Sequence, residues 1–485
     1  MSTSVYKPPL NQIAFSVIDL RRTEQWFREG LGLLPAGGSR FMMSGPLAGR
    51  IQGLPKAASC CWWMVGRNPW FQLELFQFER PTAKLMPADF RPCDIGYTRI
   101  GIWVADFDTT LTKLARLGTK PLTPAIGAVG ARRVCVRNPD GVYVEIMEDD
   151  PLESLPAVVA GRQRDCPAAI RSVTLSTPSL DDSSAYLRQG IGLSNSQIVL
   201  HGAEHEALWG LSGAQCKSAL FDAGDVLIEV VQYLKPVGKP WPEGYRISDQ
   251  GILNIAFGAR NKRDHMAIYQ RAIDFGARPN CSPIHLPGAG VVYLNDRHGF
   301  SVEVLWMAPG KSDKEWGFEP LPINQRPAAD THEVVGRVVI DAPLEEVWRV
   351  VADHEGMAKW SGFSPVVVSR PGDLDRNGYG SQRRMTGPPT IGVVTEEVVS
   401  VQEPHFLRYR VIEGAPLIFH QGEIRLVKHA EGTELQWSIR FRPKFPGTGW
   451  LLRRTLRSKL DEMLHGRLKP HVEGRASCAP LERTS

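Results

Sequence analysis

The sequence predicts an α+β fold, and three observations carry that reading. Four short apolar runs each hold one glutamate at the same place: FQLELFQF around Glu74, VYVEIMED around Glu145, VLIEVVQY around Glu229 and FSVEVLWM around Glu303. Each follows, by 46 to 62 residues, an alternating apolar run that opens at Gln12, Arg99, Ser172 or Asn254. A helix-like stretch comes directly after the opener, as in TEQWFREGLGL and SSAYLRQGIGL. A repeat of this length marks one supersecondary unit copied four times. The last third of the chain breaks the pattern. It reads as a strand, a Pro-started helix, several alternating runs and a closing amphipathic helix, GWLLRRTLRSKLDEMLHGRLKPHVE.

Strand alternation sends every second side chain to the same face. The four glutamates therefore occupy equivalent points of curved sheets. Residues 1–150 hold two copies of the unit and residues 167–309 the other two. Between them lies DDPLESLPAVVAGRQRDCPA, polar and proline-containing, read as a connector. Residues 310–331 are rich in proline and turn formers and read as a second linker. Residues 332–473 form the last domain, and residues 474–485 read as a disordered tail.

At 485 residues the chain is long enough for about three domains. A net charge of +5, spread along the chain, gives nucleic acid binding no specific support. The apolar stretches fall far short of a membrane span, and MSTSVYKPPLNQ lacks the apolar core of a secretory signal. The eight cysteines include no CxxC pair, as expected of reduced thiols in a cytoplasmic protein.

The runs IAFSVIDL…WFREGLGL and VRNPDGVYVEIME, with their counterparts, resemble the vicinal oxygen chelate superfamily of glyoxalases, bleomycin resistance proteins and extradiol dioxygenases. That resemblance implies four βαβββ units forming two chelate-type domains, with ligands drawn from the first and last strands of each unit. VIDAPLEEVWRVVAD, Trp360, GTELQWSIRF and the closing helix resemble the polyketide cyclase and START-like group. Its helix-grip fold wraps an antiparallel sheet around a long C-terminal helix and encloses an apolar cavity.

Carried onto this sequence, the chelate positions are Gln12, Glu74, Arg99 and Glu145 in the first half, and Ser172, Glu229, Asn254 and Glu303 in the second. A divalent metal, if present, would take Gln12, Glu74 and Glu145. Their oxygens suit magnesium or manganese better than zinc. Arg99 departs from the pattern, because a guanidinium cannot ligate a cation. The expectation is therefore a metal-free site, or at most a weakly supported metal. In it Glu74 or Glu145 acts as a base and Arg99 holds an enolate or phenolate oxygen, with Gln12 beside them. His201 and His205 have the spacing of a helical pair, but the glycine after His201 weakens that helix. Trp63, Glu229, Asn254 and Glu303 are candidate substrate contacts. In the last domain Trp360, Tyr409, His420 and Trp437 are candidate cavity residues.

These features point to an enzyme acting by proton transfer, as an isomerase, cyclase or lyase, on a bulky apolar or aromatic oxygenated compound. Two other readings stay open: a ligand-sequestering carrier of the bleomycin-resistance type, and a metal-dependent ring-cleaving dioxygenase. The expected partners are a small-molecule substrate and, through pairing of units, a second copy of the chain as a homodimer.

Overall fold

The computed structural model describes residues 6–39, 43–153, 164–327, 332–387 and 392–474. The tail expected from residue 474 lies, from 475 onward, outside the described residues. The chain forms two compact units, residues 1–328 and 329–485. The α+β class expected from the sequence is the one found.

The first unit contains the four copies of the repeat. In each copy the first strand pairs in parallel with the last, and the glutamate keeps one register. Glu74 lies opposite Ala14, Glu145 opposite Gly101, Glu229 opposite Thr174 and Glu303 opposite Ala256. The helix after each opening strand starts at an equivalent cap. Asp19, Asp106, Ser179 and Asn261 each accept a backbone N–H three residues on, satisfying a donor the helix leaves free.

The copies pair in a way the sequence did not suggest. Strand Leu10–Ser16 of the first copy lies antiparallel to Gly251–Ala259 of the fourth, so copies one and four share a ten-stranded sheet. Strand Gly96–Val104 of the second lies antiparallel to Ala168–Ser176 of the third, giving a seven-stranded sheet. The halves 1–150 and 167–309 are thus interleaved. Chain order favours this, since the second copy runs directly into the third and neighbours in sequence tend to become neighbours in space. One large core, including Phe15, Leu73, Ile100, Val144, Val173, Ile228, Ile255 and Val302, draws on all four copies. The glutamates alternate with these core residues and face the other way. The segment read as a linker from 310 is partly built in: Phe318 is fully buried beside Trp70.

The second unit is a seven-stranded antiparallel sheet, ordered His332–Ile340, Gly432–Pro443, Leu417–His429, Phe406–Glu413, Val393–Gln402, Gln382–Thr386, Val366–Arg370. A long helix, Gly449–Asp461 continued by Glu462–Leu468 and Lys469–Val472, lies across its concave face with Leu460, Leu464 and Leu468 buried. Gly336 permits the approach: a Cβ there would sit 2.6 Å from a Leu464 methyl. Among the described residues no helix is long and apolar enough to cross a membrane.

Candidate functional site

The face of the ten-stranded sheet turned away from the large core carries one candidate site. Its floor is a pair of fully buried alanines. Ala14 lies between Glu74 and Asn254 in one row of strand partners, and Ala256 between Gln12 and Glu303 in the next. Copies one and four thus mirror each other: amide, alanine and glutamate from each. Gln12 Nε2 donates to one Glu74 oxygen at 2.8 Å, and Trp63 Nε1 donates to the other at 2.8 Å. Glu303 accepts from the Tyr293 hydroxyl and, at 3.5 Å, from Asn254 Nδ2. Phe76, Phe78, Cys61 and Leu253 pack on the same face, and Ile51 and Leu54 cover them from the segment of helix Pro46–Gln52.

Electrostatics single out the two glutamates. Burial pushes the Glu74 carboxyl well above the usual range, and the charge of Glu303 pushes it further, against the Trp63 hydrogen bond. Burial also raises Glu303, against its bonds from Tyr293 and Asn254. Two carboxyls that share a dry site resist ionising together, so a proton stays on the pair. Tyr293 is likewise held in its neutral, donating form by burial and by both glutamates.

The donor set fits the metal that the resemblance implies. Gln12 Oε1 and Asn254 Oδ1 are buried and have no hydrogen-bond partner among the described residues. Two amide oxygens and two carboxylates make an all-oxygen set that suits a hard cation such as magnesium or manganese. No group of three or more His, Cys, Asp or Glu among the described residues is arranged for a metal. Any such ion would therefore rely on the amides.

The seven-stranded sheet holds the other two glutamates and is closed from within. His201 Nε2 lies 2.8 Å from Glu145 and Nδ1 lies 2.8 Å from Glu229. Arg99 Nη2 donates to Glu229 at 2.6 Å, and its guanidinium lies 3.9 Å above Trp209. Thr174 Oγ1 adds a bond to Glu229, and Arg133 pairs with Glu145 at 3.4 Å. Burial draws the His201 ring down, but Glu229 and Glu145 outweigh it and raise it to about 9. Burial alone would raise Glu229 and Glu145; His201 and the arginines hold both below the usual carboxylate range. A protonated imidazole thus fills the space between the acids, and Ser172 Oγ occupies the floor against Gly101.

Two expected groupings are corrected by this topology. Glu145 and Arg99 do not join Gln12 and Glu74, because they belong to the other sheet. Arg99 answers Glu229, and the metal set Gln12, Glu74 and Glu145 is divided. Likewise Glu229 is separated from Asn254 and Glu303. Trp63 does reach the site, through its bond to Glu74. Sequence reasoning noticed the spacing of His201 and His205, set it aside because of the glycine after His201, and gave His201 no role beside the glutamates. It missed Tyr293, whose signal was its place opposite Glu303 in the strand pairing.

In the second unit Trp360, Tyr409 and Trp437 are buried on the concave face. Trp437 Nε1 donates to Tyr409 at 2.9 Å, Trp360 meets Trp437 edge-on at 6.3 Å, and the His420 ring lies 5.7 Å from Tyr409. Arg383 and Glu396 form a buried ion pair at 2.7 Å beside them.

No curated protein matches the chain. A mutant glyoxalase I from Zea mays is similar in structure at 14% identity, over 61% of this chain and 92% of that one, with a TM-score of 0.42. A START superfamily protein from Mycobacterium smegmatis is similar at 20% identity, over 30% of this chain and 98% of that one, with a TM-score of 0.27. Residues 331–473 match the family model described as polyketide cyclase / dehydrase and lipid transport.

Proposed function

We propose that the ten-stranded sheet carries the active site of a cytoplasmic enzyme that moves a proton beside a carbonyl of a bulky apolar or aromatic compound. The products would be those of isomerisation, cyclisation or elimination. The observation that supports this reading is the Glu74–Glu303 pair, two buried carboxyls with raised pKa values on one face of the sheet, packed among apolar side chains. Glu303, raised to about 7, is the base: it is near half-ionised at neutral pH, where a general base works best. Glu74 is the acid, kept protonated by burial and by the charge of Glu303 and oriented by Gln12 and Trp63. Tyr293 can donate to the oxygen on which charge develops once Glu303 takes its proton. In isomerisation the proton taken at one carbon is returned at another; in elimination Glu74 protonates the departing group, and in cyclisation it protonates the carbonyl oxygen as the new bond forms, so none of these needs an oxidant.

The test uses 2-tetralone as a probe ketone in deuterated water, with exchange of its α-protons followed by NMR. The wild-type chain accelerates exchange, and Glu303→Gln loses on the order of 10²-fold or more of that acceleration. Equal exchange by wild type and variant removes the reading.

The unpartnered Gln12 Oε1 and Asn254 Oδ1 favour a second reading, in which Gln12, Glu74, Asn254 and Glu303 hold a divalent cation. Such an ion would polarise a substrate oxygen. Tyr293 and the aromatic wall would position that substrate in either case.

A further inference from the structure

Three cationic side chains of copy one, Arg50, Lys56 and Arg80, line a single pocket of about 630 Å³, with Asn280 of copy four. No described aspartate or glutamate lines it. The fold gathers the cations from separate places. Arg50 lies in the short helix Pro46–Gln52, and Lys56 in the turn after it. Arg80 ends strand Gln72–Arg80 and pairs with Ala58, two residues beyond Lys56. Gly53 lets copy four close the wall: its φ is +66°, and a Cβ there would sit 2.8 Å from the Asn280 side chain. Asn280 Nδ2 donates to the Ile51 carbonyl at 3.1 Å and holds the helix in place.

Like charges gathered in one concave place repel unless an anion neutralises them. Exposed arginines elsewhere, such as Arg297 and Arg457, pair with acids of this chain. The side chains of Arg50, Lys56 and Arg80 make no hydrogen bond or ion pair among the described residues. The backbone adds an independent observation. The Ala57 N–H bonds to the Leu54 carbonyl at 3.2 Å across Pro55 and Lys56, and Lys56 has φ +57°. Proline in second place and a positive φ in third make a type II turn, whose third place favours glycine. A lysine there costs backbone energy and sets a cation on the pocket wall. We propose that this pocket binds a phosphate group, free or esterified, with its oxygens on Arg50, Lys56 and Arg80. Three uncompensated cations suit a dianion better than a carboxylate, and the arginine fork matches phosphate geometry. The pocket has room for the phosphate and for an ester body beyond it. Ile51 and Leu54 of the same segment turn instead to the Phe76 cluster, and nothing in the proposal depends on proton transfer at Glu74 and Glu303.

The test titrates the full chain by calorimetry, at about pH 8, with phenyl phosphate, phenyl sulfate and inorganic phosphate. Phenyl phosphate is then a dianion and phenyl sulfate, of the same shape, a monoanion. The phosphate ester binds roughly tenfold or more tighter than the sulfate. Comparison with inorganic phosphate tells whether the natural ligand is the free anion or an ester, and either order supports the site. Lys56→Gly removes one cation and eases the turn, so affinity falls roughly tenfold with no loss of melting temperature. Arg50→Met/Arg80→Met abolishes the preference for phosphate over sulfate. Arg453→Met/Arg454→Met removes two exposed cations of the second unit and leaves binding unchanged. Equal binding of phosphate and sulfate esters, no binding of any probe, or losses that follow net charge in all variants alike overturn the proposal and leave the three cations as a solvated face.

Discussion

Glu74 and Glu303 stand in mirrored positions, each on the last strand of its copy and each opposite a fully buried alanine, Ala14 or Ala256. A larger residue at either alanine would occupy the floor between the acids. The arrangement is thus a property of four residues from two distant copies. Ala256→Leu is expected to abolish α-proton exchange on 2-tetralone while costing about 1–3 kcal/mol of stability, the usual penalty of overpacking. Thermal melting and the NMR exchange assay check the two effects separately.

Protonation of the pair links stability to pH. Glu303 is raised to about 7 in the folded chain, above its unfolded value. The stability it supports is fully present below the unfolded value and is lost as the pH rises through about 7. Glu303→Gln cannot ionise, so the variant is expected to gain on wild type between pH 5 and pH 8. Melting curves across that window read the difference; a constant gap would mean that Glu303 titrates normally.

His201 has the same linkage at higher pH. Its folded value of about 9 means that its contribution is complete below the ordinary histidine range and disappears as the pH climbs through 9. His201→Leu leaves Glu145 and Glu229 facing across the gap, each with one arginine. Breaking a buried charge pair in this way is expected to cost about 3 kcal/mol, visible in urea melts at pH 7 and much reduced at pH 10. Exchange on 2-tetralone should persist in the variant, since that sheet is not the proposed active site.

Manganese provides a further comparison. Where the ion binds the chain, Glu74→Gln and Glu303→Gln are expected to weaken it at least about tenfold, and His201→Leu to leave it unchanged. Manganese EPR in titrations of the full-length variants reads this directly. Loss on His201→Leu alone would move the site to the other sheet.

The repeat was legible because a glutamate in an apolar strand is conspicuous, and four at one register can be aligned by eye. The helix-like run after each opener was legible too, while its caps Asp19, Asp106, Ser179 and Asn261 emerge from the structure. The pairing of copies was not legible. Strand alternation tells which face a side chain takes but not which edge the strand joins. The partner of Leu10–Ser16 lies about half the chain away. Arg99 was therefore set beside Glu74 when its counterion is Glu229. His201 was hidden for another reason: it sits in a turn-rich segment ahead of the short helix Ala203–Trp209, where no periodicity points it anywhere. Trp63, read as a candidate substrate contact, donates to Glu74.

The central claim is that the Glu74–Glu303 pair retains a proton at neutral pH. Infrared difference spectra between wild type and the Glu74→Gln and Glu303→Gln variants test it most directly. A protonated-carboxyl C=O band is expected in wild type at pH 6, weakened in either variant; its Glu303 part fades as the pH passes about 7, while the Glu74 part persists. Spectra showing both carboxylates fully ionised at pH 6 would contradict it.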